Sequence, residues 1–574
     1  AFVNYYTIAE SDTVSPMVDT SLNGFEIFAP HRSFENGALT LGNLGASAQP
    51  IIYRSRRSIF TELGFRQYDI YSLALEQMRF YKLNRAYNDL YFSPQSGQEN
   101  FLVKAKFSRN FADGVNMAID YERIKQEGFY RNQATKMTRF GLGLSKRSEK
   151  HELYACLIAN NFNELHNGGA IENIDSFYTD PVFRDQRGLI DTYTDDAESR
   201  HQYFSYSLDN IWYDVVPDIK IKHRIRLEHG YQRFSDATSS SNQDSVLYKS
   251  YLTDDRGLRM VNRFVRWTNE AYASFNKKNI DFKLGLIYKY LVNDDSLEKS
   301  YFHDLDLRAE LNIEANRLGQ LHTMGQLGAG ENIGNYLLYA KLNIEPNPAL
   351  SFRSFIHLSR YDAFLNQRSL IVTGQQVYNN TFNKLSENIL GASLQLEKIN
   401  LELETKAGIL NNAVAFDTDA LPYQTGTNTE FLQIKLKHAF RGRNAGLENA
   451  LIYQSFSENI FRLPSFYSRH NAYIQSRFFK KHMLARMGIQ FYNIQYDGTL
   501  AFMPVNGAFF PAEGLVAYYP ITEFYVLFQV ESFRFFLRFD NLVDMFQPEV
   551  HYQIVNHPQL DNSFRLGVRW IFYD

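Results

Sequence analysis

From about residue 87 onward, apolar and polar side chains alternate in successive stretches of about ten to fourteen residues, the period of a strand with two unlike faces. In 219–229, Ile219, Ile221, Ile225 and Leu227 oppose Lys220, Lys222, Arg224 and Arg226. In 279–290, Ile280, Phe282, Leu284, Leu286, Tyr288 and Tyr290 share a face. In 304–313, Leu305, Leu307, Ala309, Leu311 and Ile313 oppose Asp304, Asp306, Arg308, Glu310 and Asn312. Segments 400–410 and 532–540 repeat the scheme and set Glu402, Glu404, Arg534 and Arg538 on the polar side. The final stretch puts Phe564, Leu566, Val568, Trp570 and Phe572 on one face and Arg565 and Arg569 on the other. A soluble sheet would need a further protein layer over that apolar face, and no sequence follows to supply it. The pattern predicts a closing strand whose apolar face meets lipid and whose other face lines a wet interior.

The connections sharpen this picture. Short polar joints fall at 110–114, 148–150, 214–218, 277–278, 314–319, 346–349, 398–400, 441–443, 480–481 and 531–532. Long connections lie between them, at 164–197, 234–262, 363–383, 415–426, 498–516 and 542–562. Tight turns alternating with long loops mark an up-and-down transmembrane barrel, with periplasmic turns and extracellular loops. The count comes to about 22 strands, in a range of roughly 20–24, since 68–76 and 247–260 fit a strand or a loop equally. No apolar run reaches the roughly 18 residues of a spanning helix, and only a closed barrel satisfies a sheet's backbone in lipid. A β-solenoid or propeller would show a repeat of fixed period, and none is present. The expected fold class is all-β, a transmembrane antiparallel barrel over 66–574 after a polar, turn-rich lead-in over 1–65. That lead-in is too short for an independent globular core, and its expected course is along the periplasmic rim or into the lumen.

Composition changes the picture in three places. The 574 residues include 47 Phe and 38 Tyr against 3 Trp, and this aromatic excess suits interfacial girdles, with Tyr518, Tyr519, Trp570 and Phe572 as candidates. A net charge of −3 leaves no nucleic-acid footprint. The single cysteine, Cys156, excludes an internal disulfide framework and reads as a packed or lipid-facing thiol. Ala1 followed by a polar stretch is what an exported chain shows once its signal is removed. The expected location is the outer membrane of a Gram-negative bacterium.

Two stretches carry a family resemblance. "TLGNLGASAQP" (40–50) is similar to an Asn-Leu-Gly-Asn-Leu-Gly-type segment, and 85–136 holds a Tyr-rich strand, a Gly-Gln-Glu turn and Gly128, Tyr130, Arg131 and Gln133 in a Gly-x-Tyr-x-Arg-x-Gln-like run. "HNGGAI" (166–171) resembles an Asn-Gly-Gly-Ile element. These features resemble the putative β-barrel porin family of Bacteroidota-type outer membranes. The likeness is densest in the first third, and "LGASA" replaces a more usual Gly-Thr-Pro continuation. It implies an outer-membrane barrel of pore function and brings no catalytic residues. Separately from the likeness, Gly42, Gly45, Gly168 and Gly169 suit tight turns at positive φ. No helix or lysine follows "GNLGA" to make it a phosphate loop.

Catalytic chemistry finds little support. His357 and Ser359 share a strand face while Asp362 points away, which does not make a triad. The acidic loop 191–199 offers Asp191, Asp195 and Asp196 as hard oxygen ligands but lacks EF-hand spacing, and the expected metal and cofactor content is nil. The inward charges are the pore-lining candidates: a basic column of Lys220, Lys222, Arg224 and Arg226, acidic columns of Asp304, Asp306, Glu310, Glu402 and Glu404, and the arginines 534, 538, 565 and 569. Opposed columns either set a transverse field that favours polar solutes or pair with each other and fill the lumen. The expected function is therefore a porin for passive passage of small polar solutes. The alternative is a non-transporting barrel subunit of a secretion, nutrient-uptake or barrel-assembly complex. Expected partners are outer-membrane lipid and lipopolysaccharide, the barrel-assembly machinery during biogenesis, and other outer-membrane proteins or lipoproteins in a complex. An energised, TonB-dependent receptor is disfavoured, because about 65 leading residues are too few for a plug domain.

Overall fold

The computed structural model describes residues 3–573, apart from 9–17, 20, 96–99, 172–185, 238–246, 250, 252, 316–318, 515, 517–518 and 547–548. Twenty-two strands close into one barrel, each antiparallel to both neighbours. In chain order they begin with β1 (Tyr87–Pro94), β2 (Phe101–Asn110), β3 (Val115–Gln126), β4 (Thr135–Arg147), β5 (His151–His166) and β6 (Ala197–Val216). The next are β7 (Ile219–Asp236), β8 (Leu258–Lys277), β9 (Ile280–Asp294), β10 (Lys299–Glu314), β11 (Gln320–Gly328) and β12 (Tyr336–Asn347). Then follow β13 (Leu350–Tyr361), β14 (Leu385–Leu396), β15 (Leu401–Asn411), β16 (Thr429–Arg441) and β17 (Ala445–Phe456). The last are β18 (Phe466–Phe478), β19 (Met483–Gln495), β20 (Ile521–Val530), β21 (Phe533–Asp540) and β22 (Ser563–Tyr573).

The alternation read from the sequence is the alternation of faces. Leu284 and Leu286 are exposed on the outside while Lys283 and Ile287 turn inward. On β22, Phe564 and Trp570 are exposed, Leu566, Val568 and Phe572 are half-buried, and Arg565 is buried. This strand pairs with β21 on one side and with β1 on the other, closing the cylinder. A bidentate ion pair staples the seam, with Arg569 Nε 2.7 Å and Nη2 2.6 Å from the two carboxylate oxygens of Asp89. Among the described residues the short joints become turns at one end of the barrel; residues 316–318 of the 314–319 joint lie outside them. Asp218, Lys278, Asn400, Lys480 and Glu531 take positive φ there, the conformation a tight hairpin of twisted strands demands. The long connections gather at the opposite end. Residues 68–76 form no strand, and within 247–260 the strand starts only at Leu258.

Aromatic rings on the inner face lie across glycines of the adjacent strand. Tyr272 faces Gly285, Phe355 faces Gly391, Tyr525 faces Gly488 and Phe536 faces Gly567, each pair directly opposed. A Cβ at Gly285 would sit 2.0 Å from the Tyr272 ring, so only glycine leaves room for it. The ring in turn covers backbone that glycine leaves bare.

The barrel starts at Tyr87, so residues 66–86 belong with the segment before it. That leading segment contributes two small two-stranded pieces, Val3–Tyr6 with Phe80–Leu83 and Ala38–Thr40 with Ala48–Pro50. Its apolar side chains are buried against inward-facing residues of the barrel wall. It therefore lies in the lumen.

Candidate gating site

The leading segment docks through a turn. Gly42 and Gly45 hold positive φ, as do Gly168 and Gly169 in the loop after β5. Between the first pair, Asn43 Nδ2 donates to the Gln133 carbonyl at 2.6 Å, and Gln133 Nε2 donates to the Leu41 carbonyl at 3.3 Å. The Leu44 carbonyl accepts from Thr135 Oγ1 at 2.8 Å. Buried Glu164 on β5 accepts from the Ser47 hydroxyl at 2.5 Å, the Ser47 amide at 3.0 Å and the Tyr68 hydroxyl at 2.7 Å. Gln559 Nε2, from the loop before β22, donates to the Thr40 carbonyl at 2.9 Å. A buried carboxylate left without such donors would be costly, so the turn and the wall specify each other.

A second anchor is ionic. The Phe28 ring carries three guanidinium groups around it, Arg565 at 4.0 Å, Arg538 at 5.0 Å and Arg32 at 5.6 Å from its centroid. Arg32 and Arg538 both pair with Glu523, and Arg538 also pairs with Asp540. Glu26 accepts from Arg469 at 3.1 Å and from Gln490 at 3.0 Å, while Arg534 donates to the Ser21 carbonyl at 2.7 Å. Residues 21–32 are thus fixed to β18–β22.

From Ile51 to Tyr71 the chain runs round the inner wall against the strand order. The Ile51 carbonyl accepts from Gln454 of β17 at 2.7 Å and the Tyr53 carbonyl from Gln433 of β16 at 3.2 Å. The Arg56 amide donates to Glu387 of β14 at 3.3 Å, and its guanidinium lies 4.6 Å from the ring of Tyr361 on β13. The Thr61 amide donates to Asp304 of β10 at 2.7 Å, and Lys289 of β9 sits 4.2 Å from the Phe60 ring. Tyr68 then stacks on Phe162 of β5 at 4.9 Å, and the Tyr71 carbonyl accepts from Arg139 of β4 at 3.4 Å. An extended strap needs no core of its own, because the wall supplies its hydrogen bonds and apolar contacts.

The long loops close over this strap. Leu63 and Phe65 pack with Tyr248, Leu370, Met503 and Val505, drawn from three loops. The Leu365 and Asn366 amides donate to the Glu62 and Leu63 carbonyls, each at 2.9 Å. Asn506 Nδ2 bridges the loops by donating to the Ala420 carbonyl at 2.9 Å and the Tyr251 hydroxyl at 3.2 Å. The leading residues form no globular plug domain, yet they occupy the lumen. Residues 21–83 span the lumen as a strap rather than as a globular plug.

The family described as "Putative porin" matches residues 3–574. The chain belongs to this family. No curated protein matches it. The solved copper transporter OprC shares the fold with a TM-score of 0.69 at 8% identity, over 93% of this chain and 93% of its own. A variant of the ferric enterobactin receptor PfeA from Pseudomonas aeruginosa gives 0.61 at 11% identity, over 86% and 81%. The FrpB iron transporter from Neisseria meningitidis gives 0.59 at 9% identity, over 85% and 82%. Identities this low speak for the outer-membrane barrel fold alone.

In this porin-family barrel the inward charges are distributed unevenly. Lys222 and Arg224 both lie against Asp209 of the neighbouring strand, and Arg224 also reaches Glu270 at 3.7 Å. Arg226 instead binds Glu76 of the leading segment at 2.6 Å, and Lys220 lies 5.5 Å from the Tyr213 ring. Three of the four cations of the basic column, Lys222, Arg224 and Arg226, are therefore paired with carboxylates. Asp304 holds the strap, Asp306 accepts from Gln326 and Asn332, and Glu310 pairs with Lys283 at 3.2 Å and Arg308 at 2.6 Å. Glu404 pairs with Lys406 at 2.7 Å and Glu402 lies 3.8 Å from Lys437. Arg534, Arg538 and Arg565 are buried under the leading segment, and Arg569 belongs to the seam.

Other sequence candidates disperse. His357 Nε2 and Ser359 Oγ are 3.2 Å apart, whereas Asp362 binds Lys384 at 2.9 Å. Cys156 is buried on the inner face among Tyr6, Phe80 and Tyr154. Among the described residues no three His, Cys, Asp or Glu side chains group as a metal site, the 191–199 loop included. Tyr518 lies outside the described residues, and Tyr519 is no girdle residue, since its ring stacks on loop His551 at 4.2 Å. Sequence reading missed Ser47, Glu26, Arg32 and Glu164. The only signal was for Ser47, which lies within the glycine-rich stretch 40–50.

Proposed function

We propose that this barrel passes small polar solutes across the outer membrane of a Gram-negative cell along a route that its own leading segment closes until part of that segment moves. The observation that carries this reading is the strap of residues 51–71, hydrogen-bonded from β17 round to β4 beneath packed loops. A lumen filled in this way is shut at rest, so the passage differs from that of a constitutively open porin. Family membership supports a pore, and barrels of the same fold are described as copper and iron transporters. On this reading the short turns face the periplasm and the long loops face outward. The outer surface takes lipid and lipopolysaccharide as partners, and the barrel-assembly machinery inserts the chain.

Planar-bilayer conductance tests the reading. The full chain is expected to show little current, and a variant lacking residues 1–84 is expected to form large, steady channels while keeping heat-modifiable gel migration. A deletion variant that stays heat-modifiable but remains closed would overturn it.

A further inference from the structure

The inner wall between β12 and β16 carries cations that no carboxylate pairs. Lys341 of β12 opposes Phe355 of β13, and Arg353 of β13 opposes Ser393 of β14. Across the small floor of Gly391 and Ser393 stand Lys406 and Glu404 of β15, then Lys435 of β16. Of the carboxylates in this sector, Glu404 is paired with Lys406, Glu402 with Lys437, and Glu35 of the leading segment with Lys435 and Lys437, while Glu345 and Glu397 accept from the amides of Asn343 and Gln395 toward the turn end. Lys341 and Arg353 have no carboxylate within ion-pair distance among the described residues, and Arg353 bonds only the neutral amide oxygen of Gln395. Arg57 of the strap, within electrostatic reach of Tyr339 and His357, adds a third such cation. Lys341 and Arg353 are half-buried and Arg57 is exposed, so all three meet lumenal water.

Elsewhere Arg224 meets Asp209, Lys283 meets Glu310 and Arg538 meets Glu523, while Arg534 and Arg565, which have no carboxylate partner among the described residues, lie buried under the leading segment away from lumenal water. Uncompensated cations on a concave wall raise the local concentration of anions, and a guanidinium fork matches a planar carboxylate or a phosphate. Cations set apart on two strands and the strap suit an anion with more than one charged group. We infer that this sector is a lumenal binding site for a small organic anion bearing two or more carboxylate or phosphate groups. Its role as a selectivity site along the route rests on the gated-passage reading, whereas binding itself does not.

Isothermal titration of the detergent-solubilised full chain separates the two, because it needs no passage. Citrate and pyrophosphate are the carboxylate and phosphate probes, and sorbitol is the neutral control. Saturable binding of either anion is expected, with none for sorbitol. Affinity should fall at least tenfold in Lys341→Ala/Arg353→Ala and remain near that of the parent in Lys341→Arg. Should the double variant fail to fold, Arg57→Ala on the exposed face of the strap is expected to weaken binding severalfold. Absence of saturable anion binding, or unchanged affinity in whichever of these charge-removing variants folds, would overturn the site. A barrel that binds anions yet stays closed after deletion of residues 1–84 would leave the site standing and remove the gate.

Discussion

Arg565 of the last barrel strand sets its guanidinium 4.0 Å from the ring centroid of Phe28 in the leading segment. The contact joins the strand that closes the barrel to the segment that fills it. Phe28→Ala removes a buried ring from between three guanidinium groups, a loss on the order of 3–5 kcal/mol for a truncated aromatic. The expected result is a barrel that still closes, judged by heat-modifiable migration, but whose leading segment is cut by trypsin at Arg54 and Arg57 far faster than in the parent. Equal cleavage rates would show that this anchor does not hold the segment.

Arg538 shows how face and role separate. The sequence places it on the wet side, where Arg538→Leu would be mild. In the fold it is fully buried and pairs with Glu523 and Asp540, so its loss leaves two buried carboxylates to share Arg32 alone. Arg538→Leu is expected to loosen the segment much as Phe28→Ala does. Leu537→Arg, on the outer face one residue away, should instead cost about 2–4 kcal/mol of barrel stability near the bilayer midplane and lower the folded amount in membranes. Urea titration in lipid vesicles distinguishes them.

Orientation is tested by tags. An epitope inserted at Gly374, in the exposed tip between β13 and β14, should be labelled on intact cells. Tags in the 346–349 or 441–443 turns should be labelled only after the outer membrane is opened. The reverse pattern would invert the barrel.

Acid should loosen the long-loop end. Burial pushes His31 down to about 3 and His551 and His557 down to about 4, with Arg32 adding to the first two shifts and nearby Asp540 and Asp544 opposing them. These imidazoles are neutral when folded, whereas an unfolded imidazole protonates near pH 6.5. The folded state therefore holds its full stability above about pH 6.5 and loses it as pH falls from there toward about 4. Hydrogen exchange in 28–33 and 551–560 should accelerate over that window, and His551→Gln should flatten part of the change. Exchange that is independent of pH after correction for the intrinsic rate would contradict the assignment.

The barrel was legible because its physics is local. Alternation of period two in a strand such as β10, and turn residues such as Asp218 and Lys278, record which face meets lipid and where the chain reverses. The strap was not legible, because each of its bonds is between distant positions. Ser47 meets Glu164 across 117 residues and Thr61 meets Asp304 across 243, and neither pairing leaves a periodic trace. The "LGNLG" and Gly128–Gln133 stretches were visible separately, but only the fold shows them holding each other through Asn43 and Gln133. The charged columns follow from the alternation, but their state of pairing depends on the segment between them. Tyr519 looked interfacial because an aromatic near a strand end usually is, whereas its partner His551 comes from another loop.

If residues 51–71 are the gate, a reversible covalent tether between them and the wall should hold it shut. In Thr61→Cys/Asp304→Cys the two positions are already in hydrogen-bond contact, at 2.7 Å from the Thr61 amide to the Asp304 carboxylate, and the native Cys156 is buried away from them. Bilayer conductance is measured in sub-denaturing urea, before and after reductant. The untethered parent is expected to open in urea, the oxidised variant to stay shut, and reductant to restore opening to the parent level. Equal conductance of the oxidised and reduced variant would contradict it.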